Sequence, residues 1–165
     1  MLTRKAVYLV PVLTFMFVIG AQPITAQEWH PCFTLESIKG SYSIVGTYGA
    51  NVAIALAKRY VDRDGNLTGT FVVNEPTAGS TTGQRSIVTG TQAGSLTVNC
   101  DGTGVVTRVL TVGGVQTTQT DDFVITESKM RDGELVATTI VDAQRTPSTI
   151  VPGGVFLRRT WTRVP

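Results

Sequence analysis

The residues able to do chemistry in this chain are few and widely spaced. The stretch Asp62 to Asn66, "DRDGN", opens with oxygen-bearing side chains at alternate positions, as a calcium loop does. An EF-hand also needs glycine at loop position 6 and glutamate at position 12; counted from Asp62, Gly65 falls at 4, Asn66 at 5 and Val73 at 12. The register fails, and no metal site is expected. The single histidine, His30, stands in "EWHPC", so neither a Ser-His-Asp nor a Cys-His arrangement assembles unless that arm folds inward. Asp121 and Asp122 are neighbours, and on a strand neighbouring side chains point to opposite faces, so they do not act directly as a carboxylate pair. Glu127, Glu134 and Asp142 would meet them only across strands, and the surface is the ordinary place for such acids. Tyr42, Tyr48, Tyr60 and Trp161 are of types that line pockets, although strand aromatics mostly pack in cores. No catalytic residue and no cofactor are expected, and no ligand-binding residue is assigned.

The elements that would position these groups are strands. Thr, Val and Gly dominate, and no stretch keeps apolar residues at helical spacing for three turns. Candidate strands run 40–48, 52–61, 67–74, 85–90, 95–99, 104–112, 115–126, 134–142 and 155–163. The pairs Asp64-Gly65, Asp101-Gly102 and Asp132-Gly133 each precede an alternating strand and predict two-residue hairpins; so does Gly113-Gly114. "DRDGN" thus reads as a turn with two siblings. The triplet Asn66-Leu67-Thr68 matches a glycosylation acceptor, a pattern that also arises by chance. The spacing predicts an all-β fold, a single antiparallel barrel of eight or nine strands over 40–165, with a β-sandwich as the alternative. Segments 75–83 and 144–154 read as open loops that would gate a barrel if both lay at one mouth. In "NVAIALAKRYV", Val52, Ile54 and Leu56 share a face with Lys58 and Tyr60, and Ala53, Ala55 and Ala57 share the other with Arg59 and Val61. Large residues opposite alanines predict protein contact on both faces, the large face across the core and the small one close to a neighbour. That arrangement is compatible with an oligomer; a small exposed alanine face is the plain alternative.

The N-terminus carries Arg4 and Lys5, an apolar run from Ala6 to Ile19, then small and polar residues, the order of a secretory signal peptide. A run of 14 residues is short of the roughly 20 that a permanent membrane helix needs. The signal is taken as 1–26, with cleavage after Ala26 or, alternatively, Ala21; residues 27–39 form an arm. Removing 26 of 165 residues leaves 139, enough for one core. The signal takes two of the 14 basic residues with it, leaving 12 against 12 acids. A near-neutral chain gives no electrostatic reason for a nucleic-acid or anionic-membrane partner. Arg158 and Arg159, the nearest thing to a basic cluster, read as a solvated strand end. Export to an oxidising compartment makes a disulfide between Cys32 and Cys100 the expected state, tying the arm to the body; a reactive thiol pair lacks the CxxC spacing. The location expected is secreted or periplasmic.

"CFTLESIKGSYSIVGTYG", "DRDGNLTGTF", "GTQAGSLTVNCDGTGVV" and an Arg-rich aromatic last strand together resemble uncharacterised secreted bacterial β-barrel proteins akin to lipocalin-type calycins and the allene oxide cyclase barrel. Calycins carry Gly-x-Trp in the first strand, stacked by an arginine from the last; Gly40 and Tyr42 match with Tyr replacing Trp. The resemblance implies that Arg158 or Arg159 is the stacking partner. It implies a fold rather than a role. The functional expectation is a secreted, non-enzymatic barrel binding a small apolar molecule in the barrel or at its mouth. A cyclase-type enzyme and a structural or adhesion module acting through its surface are the alternatives.

Overall fold

A computed structural model describes residues 31–49, 52–151 and 155–165. The signal segment and His30 lie outside the described residues. Eight antiparallel strands follow one another around a closed barrel: β1 Gly40–Tyr48, β2 Ala53–Val61, β3 Asn66–Pro76, β4 Arg85–Val98, β5 Thr103–Val112, β6 Val115–Arg131, β7 Glu134–Gln144 and β8 Leu157–Arg163. Closure comes from β8 pairing with β1, from Tyr42 opposite Arg163 to Tyr48 opposite Leu157. Closing the sheet leaves no edge strand along the paired lengths.

The count is eight because 85–90 and 95–99 belong to one strand. Gly90 and Gly94 look like breaks in the sequence, yet both are close-approach positions. A Cβ on Gly94 would come 2.1 Å from the Thr107 carbonyl oxygen, and one on Gly90 would come 2.5 Å from the Phe71 ring. The glycines let the neighbouring strand and an inward aromatic press against β4 without interrupting it. Of the three Asp-Gly turns, only Asp132-Gly133 is a two-residue hairpin, with φ of 53° and 84° as that turn type demands. The other two are four-residue loops, 62–65 and 99–102, in which only the glycine has positive φ.

These loops explain "DRDGN". The Asp62 carboxylate accepts hydrogen bonds from the Asp64 and Asn66 backbone N–H at 2.9 and 2.8 Å and from the Asn66 amide at 2.9 Å. Those bonds, the Asn66 side chain first, hold the Asp62 carboxyl below the usual carboxylate range. Its oxygens are spent on the turn.

Alternating burial, regular along β1, β2, β3 and β8, sorts inward from outward positions, and β2 reverses the face expected. Ala53, Ala55 and Ala57 point inward with Arg59 and Val61, whereas Ile54, Leu56 and Tyr60 point outward and are about half exposed. Inside, two apolar clusters stack along the axis. At one end Tyr42, Ile44, Val61, Leu67, Val106, Phe123, Ile140 and Trp161 pack together; at the other Tyr48, Ala53, Ala55, Phe71, Val73, Leu110 and Leu157 do so. Each large side chain fully buried there contributes about 1.5–3 kcal/mol.

The first end is sealed by the arm. Residues 31–39 carry a single helical turn, α1 Leu35–Ile38, unforeseen from the sequence. Phe33 and Leu35 pack against the first cluster, and Ile38 is fully buried. Arg163 fastens it, donating to the Ser37 carbonyl at 3.0 Å and the Tyr42 hydroxyl at 2.8 Å, while that hydroxyl donates to the Ile38 carbonyl at 2.6 Å. The disulfide between Cys32 and Cys100 ties the arm to the 99–102 loop and is consistent with an oxidising compartment. Among the described residues no helix is long and apolar enough to cross a membrane, which leaves strands out of account.

The bridge spans a sequence separation of 68, so its chain-entropy worth is about 4 kcal/mol. Reduction, or replacement of both cysteines by serine, is expected to lower stability by a few kcal/mol in a urea titration. Thiol labelling of the unfolded, unreduced protein is expected to find no reactive cysteine; full labelling would refute the bridge.

Candidate functional site

Between the two apolar clusters the barrel carries a belt of polar side chains. Arg59 from β2, Gln92 from β4, Arg108 from β5, Gln119 and Asp121 from β6, Asp142 and Gln144 from β7 and Arg159 from β8 are all buried. Each stands at an inward position, usually two residues from a large apolar neighbour on the same strand. The belt is closely bonded. Arg159 Nε donates to Asp142 Oδ1 at 2.7 Å and Trp161 Nε1 donates to Asp142 Oδ2 at 2.7 Å. Arg108 Nε donates to Asp121 Oδ2 at 2.9 Å, and Arg159 Nη2 lies 2.7 Å from that oxygen at an angle outside hydrogen-bonding range. Arg59 lies over the Trp161 ring at 3.9 Å, with its Nη1 3.6 Å from Asp142. Burial pushes the Asp142 carboxyl up to about 7, against the pull of Arg59. Burial, and then the charge of Arg108, brings the Arg59 guanidinium down to about 9.

Several expectations fail here, for one physical reason. Arg159 and Asp142, read as surface residues, are 3 % and 1 % exposed and bonded to each other. Opposite charges that pair across strands make burial tolerable, and sequence spacing cannot show that pairing. Asp121 and Asp122 do face opposite ways: Asp121 enters the belt and Asp122 pairs outside with Arg145 at 2.6 Å. Arg158 is exposed, as expected. The arginine facing Tyr42 is Arg163, its guanidinium 5.0 Å from the ring, rather than Arg158 or Arg159. Trp161 meets Tyr42 edge-on at 5.8 Å. Tyr42, Tyr48 and Trp161 are interior, whereas Tyr60 is outside. Glu127 and Glu134 are exposed.

The unsealed end is the mouth. The 77–84 connection and residues 145–151 lie there, as does the turn after β5. Glu75, expected in a loop, lies in β3 and is buried, and burial raises its carboxyl pKa. Residues 148–151 fold down over the opening. Ser148 Oγ accepts from the Ile150 and Val151 backbone N–H at 3.1 Å each. Val151 is buried, and Thr149 Oγ1 donates to Thr117 Oγ1 at 3.0 Å. Gln144 joins this connection to the belt: its amide donates to Gln119 at 2.8 Å and its oxygen accepts from the Leu157 N–H at 2.8 Å.

Two spaces flank Ile150. Beneath it, walled by belt and apolar residues, is a cavity of about 20 Å3, counted as room for the centre of a water molecule. Above it, Val88, Val112, Val115, Thr117, Thr149 and Ile150 line an open hollow of about 290 Å3 on the same measure. Among the described residues no group of three His, Cys, Asp or Glu side chains is arranged to hold a metal ion.

Asp142→Ala would leave Arg159 Nε and the Trp161 N–H without their acceptor in the interior, and is expected to cost about 3–5 kcal/mol. Asp122→Ala, at an exposed pair, is expected to leave the urea midpoint nearly unchanged. The acid also sets a pH dependence. With a folded pKa of about 7 against 3.8 unfolded, the folded protein keeps a proton that the unfolded chain has released. The contribution of Asp142 to stability therefore declines as pH rises from about 4 to about 7 and is flat above that. Comparing wild type with Asp142→Asn by denaturation across this window checks the slope, which the variant is expected to lose. With the geometry established, the comparisons with known proteins add nothing to it: no family model matches the chain, and no curated protein or solved structure does so.

Proposed function

We propose that this is a secreted, non-enzymatic barrel that binds a small apolar molecule at its mouth. One observation carries the reading: the hollow of about 290 Å3 above Ile150, whose walls are Val88, Val112, Val115 and Ile150 with two threonine hydroxyls that already bond to each other. Its size is close to the lower end of small-molecule sites, and a mostly apolar wall with few polar groups suits such a ligand. The ligand sits at the mouth rather than inside, because the interior has room for about one water. The buried acids support the non-enzymatic part: Asp121 and Asp142 are engaged by arginines and shut away from anything held above Ile150. The signal-like N-terminus and the disulfide support export.

A second reading has its own observation. Val45, Leu56 and Val72 lie side by side across β1, β2 and β3 on the outer face, all exposed, with Ile54 beside them. An apolar outer stripe favours a module acting through its surface, including self-association.

Nile red separates the two. Val115 is exposed on the rim, so Val115→Asp is expected to leave the fold intact and weaken the dye about tenfold or more, the worth of one lost apolar contact. Leu56→Asp on the outer stripe is expected to leave dye affinity unchanged, and so is His30→Ala. If Leu56→Asp abolishes binding and Val115→Asp does not, the outer face is the site. Mass spectrometry of extracts from native protein would then identify the natural ligand, and turnover of it lost in His30→Ala would defeat the non-enzymatic reading.

A further inference from the structure

We propose that the waist of the barrel binds one small monovalent anion of the halide class, held by Arg59 and Gln92 beside Arg108. This site is separate from the hollow at the mouth, and three independent observations converge on it.

The first is charge. The belt contains three guanidiniums, Arg59, Arg108 and Arg159, and two carboxylates, Asp121 and Asp142, all buried. Asp142 is fully engaged by Arg159 and Trp161, and Asp121 faces Arg108 and Arg159. Among the described residues Arg59 has no carboxylate closer than the 3.6 Å approach to Asp142. At least one positive charge is left over in a low-dielectric interior, where an uncompensated charge is costly. Glu75 does not offset it: it stands beyond Val73 towards the mouth and is not among the residues walling the cavity.

The second is hydrogen bonding. Arg59 Nη2 and Arg108 Nη1 both donate to the single oxygen of the Gln92 amide, at 2.9 and 3.2 Å. Two cations thus converge on one neutral acceptor. Arg59 Nε and Nη1, Gln92 Nε2 and Arg159 Nη2 are buried with no hydrogen-bond partner among the described residues, as are two acceptors, Asp121 Oδ1 and Glu75 Oε2. The four donors come from side chains that line one cavity, and the two acceptors come from residues that do not. Unmet donors beside surplus positive charge call for an acceptor that is itself negative; a water would take some of the bonds and none of the charge.

The third is size. The cavity offers about 20 Å3 for the centre of a water-sized body, where one water needs about 10–15 Å3. That admits a single large atom and leaves no space for a carboxylate with a carbon chain. The inward alanines Ala55 and Ala57 create the gap, since larger side chains at those positions would fill it. A chloride or bromide ion matches room, charge and donor set together.

The test compares melting of the intact mature protein in gluconate, chloride and bromide buffers at equal ionic strength. A saturable rise of about 5 °C is expected once chloride or bromide exceeds its dissociation constant by about tenfold, with none from gluconate. Arg59→Met is expected to abolish the response, and Lys58→Met, which alters the outward neighbour, to keep it. Should Arg59→Met fail to fold, crystals of wild-type protein grown in bromide decide the matter by anomalous scattering. A peak within hydrogen-bonding reach of Arg59 and Gln92 is expected, and bromide crystals with no peak at the waist overturn the proposal.

Discussion

Five charged side chains share the waist of a barrel too narrow to admit solvent freely, and the rest of the molecule is arranged around making that tolerable. Charges out of water are held only where their partners are fixed, so the belt needs its strands in register to within a single residue. Asp142 on β7 lies directly opposite Arg159 on β8, and Asp121 on β6 is opposite Val106, one inward position from Arg108 on β5. A slip of one residue in either pairing would turn a charge outward and strand its partner. The belt therefore acts as a registration device as well as a cost, and the apolar clusters on either side supply the burial that offsets it.

Closure at the two ends follows different logic. The arm end uses covalent and strongly directional contacts: the disulfide, and Arg163 reaching the backbone of 37–39 together with Tyr42. The mouth relies on a connection held mainly by hydroxyls and amides, Ser148, Thr149 and Gln144. Neutral hydrogen bonds of this kind contribute about 0.5–1.5 kcal/mol each, so the mouth is the end that opens more cheaply. Ile150 lines both the outer hollow and the inner cavity.

Much of the fold was legible because it is written in local signals. Alternation in "GSYSIVGTY" gave β1 to the residue, and Gly113-Gly114 and Asp132-Gly133 marked hairpins where hairpins are. Other features depend on contacts between strands and carry no local mark. Gly90 and Gly94 read as interruptions because what they accommodate, Phe71 and the Thr107 carbonyl, lies on neighbouring strands. The belt was missed for the same reason, although a partial signal existed: Arg59, Arg108, Asp121, Asp142 and Arg159 each alternate with buried apolar residues two positions away, which places a charge on the core face. The alanine face of β2 misled through size, since small inward residues here make room for arginines reaching across the axis.

The barrel also has a direction. The arm, its disulfide and the last strand's end, where the Val164 N–H bonds to the Ser41 carbonyl, gather at the sealed pole, while the hollow around Ile150 opens at the other. Any chain, label or support joined after Pro165 therefore hangs from the closed pole and leaves the opening facing away from the attachment. Immobilised by its C-terminus on a surface, the protein would stand with its mouth towards the surrounding medium.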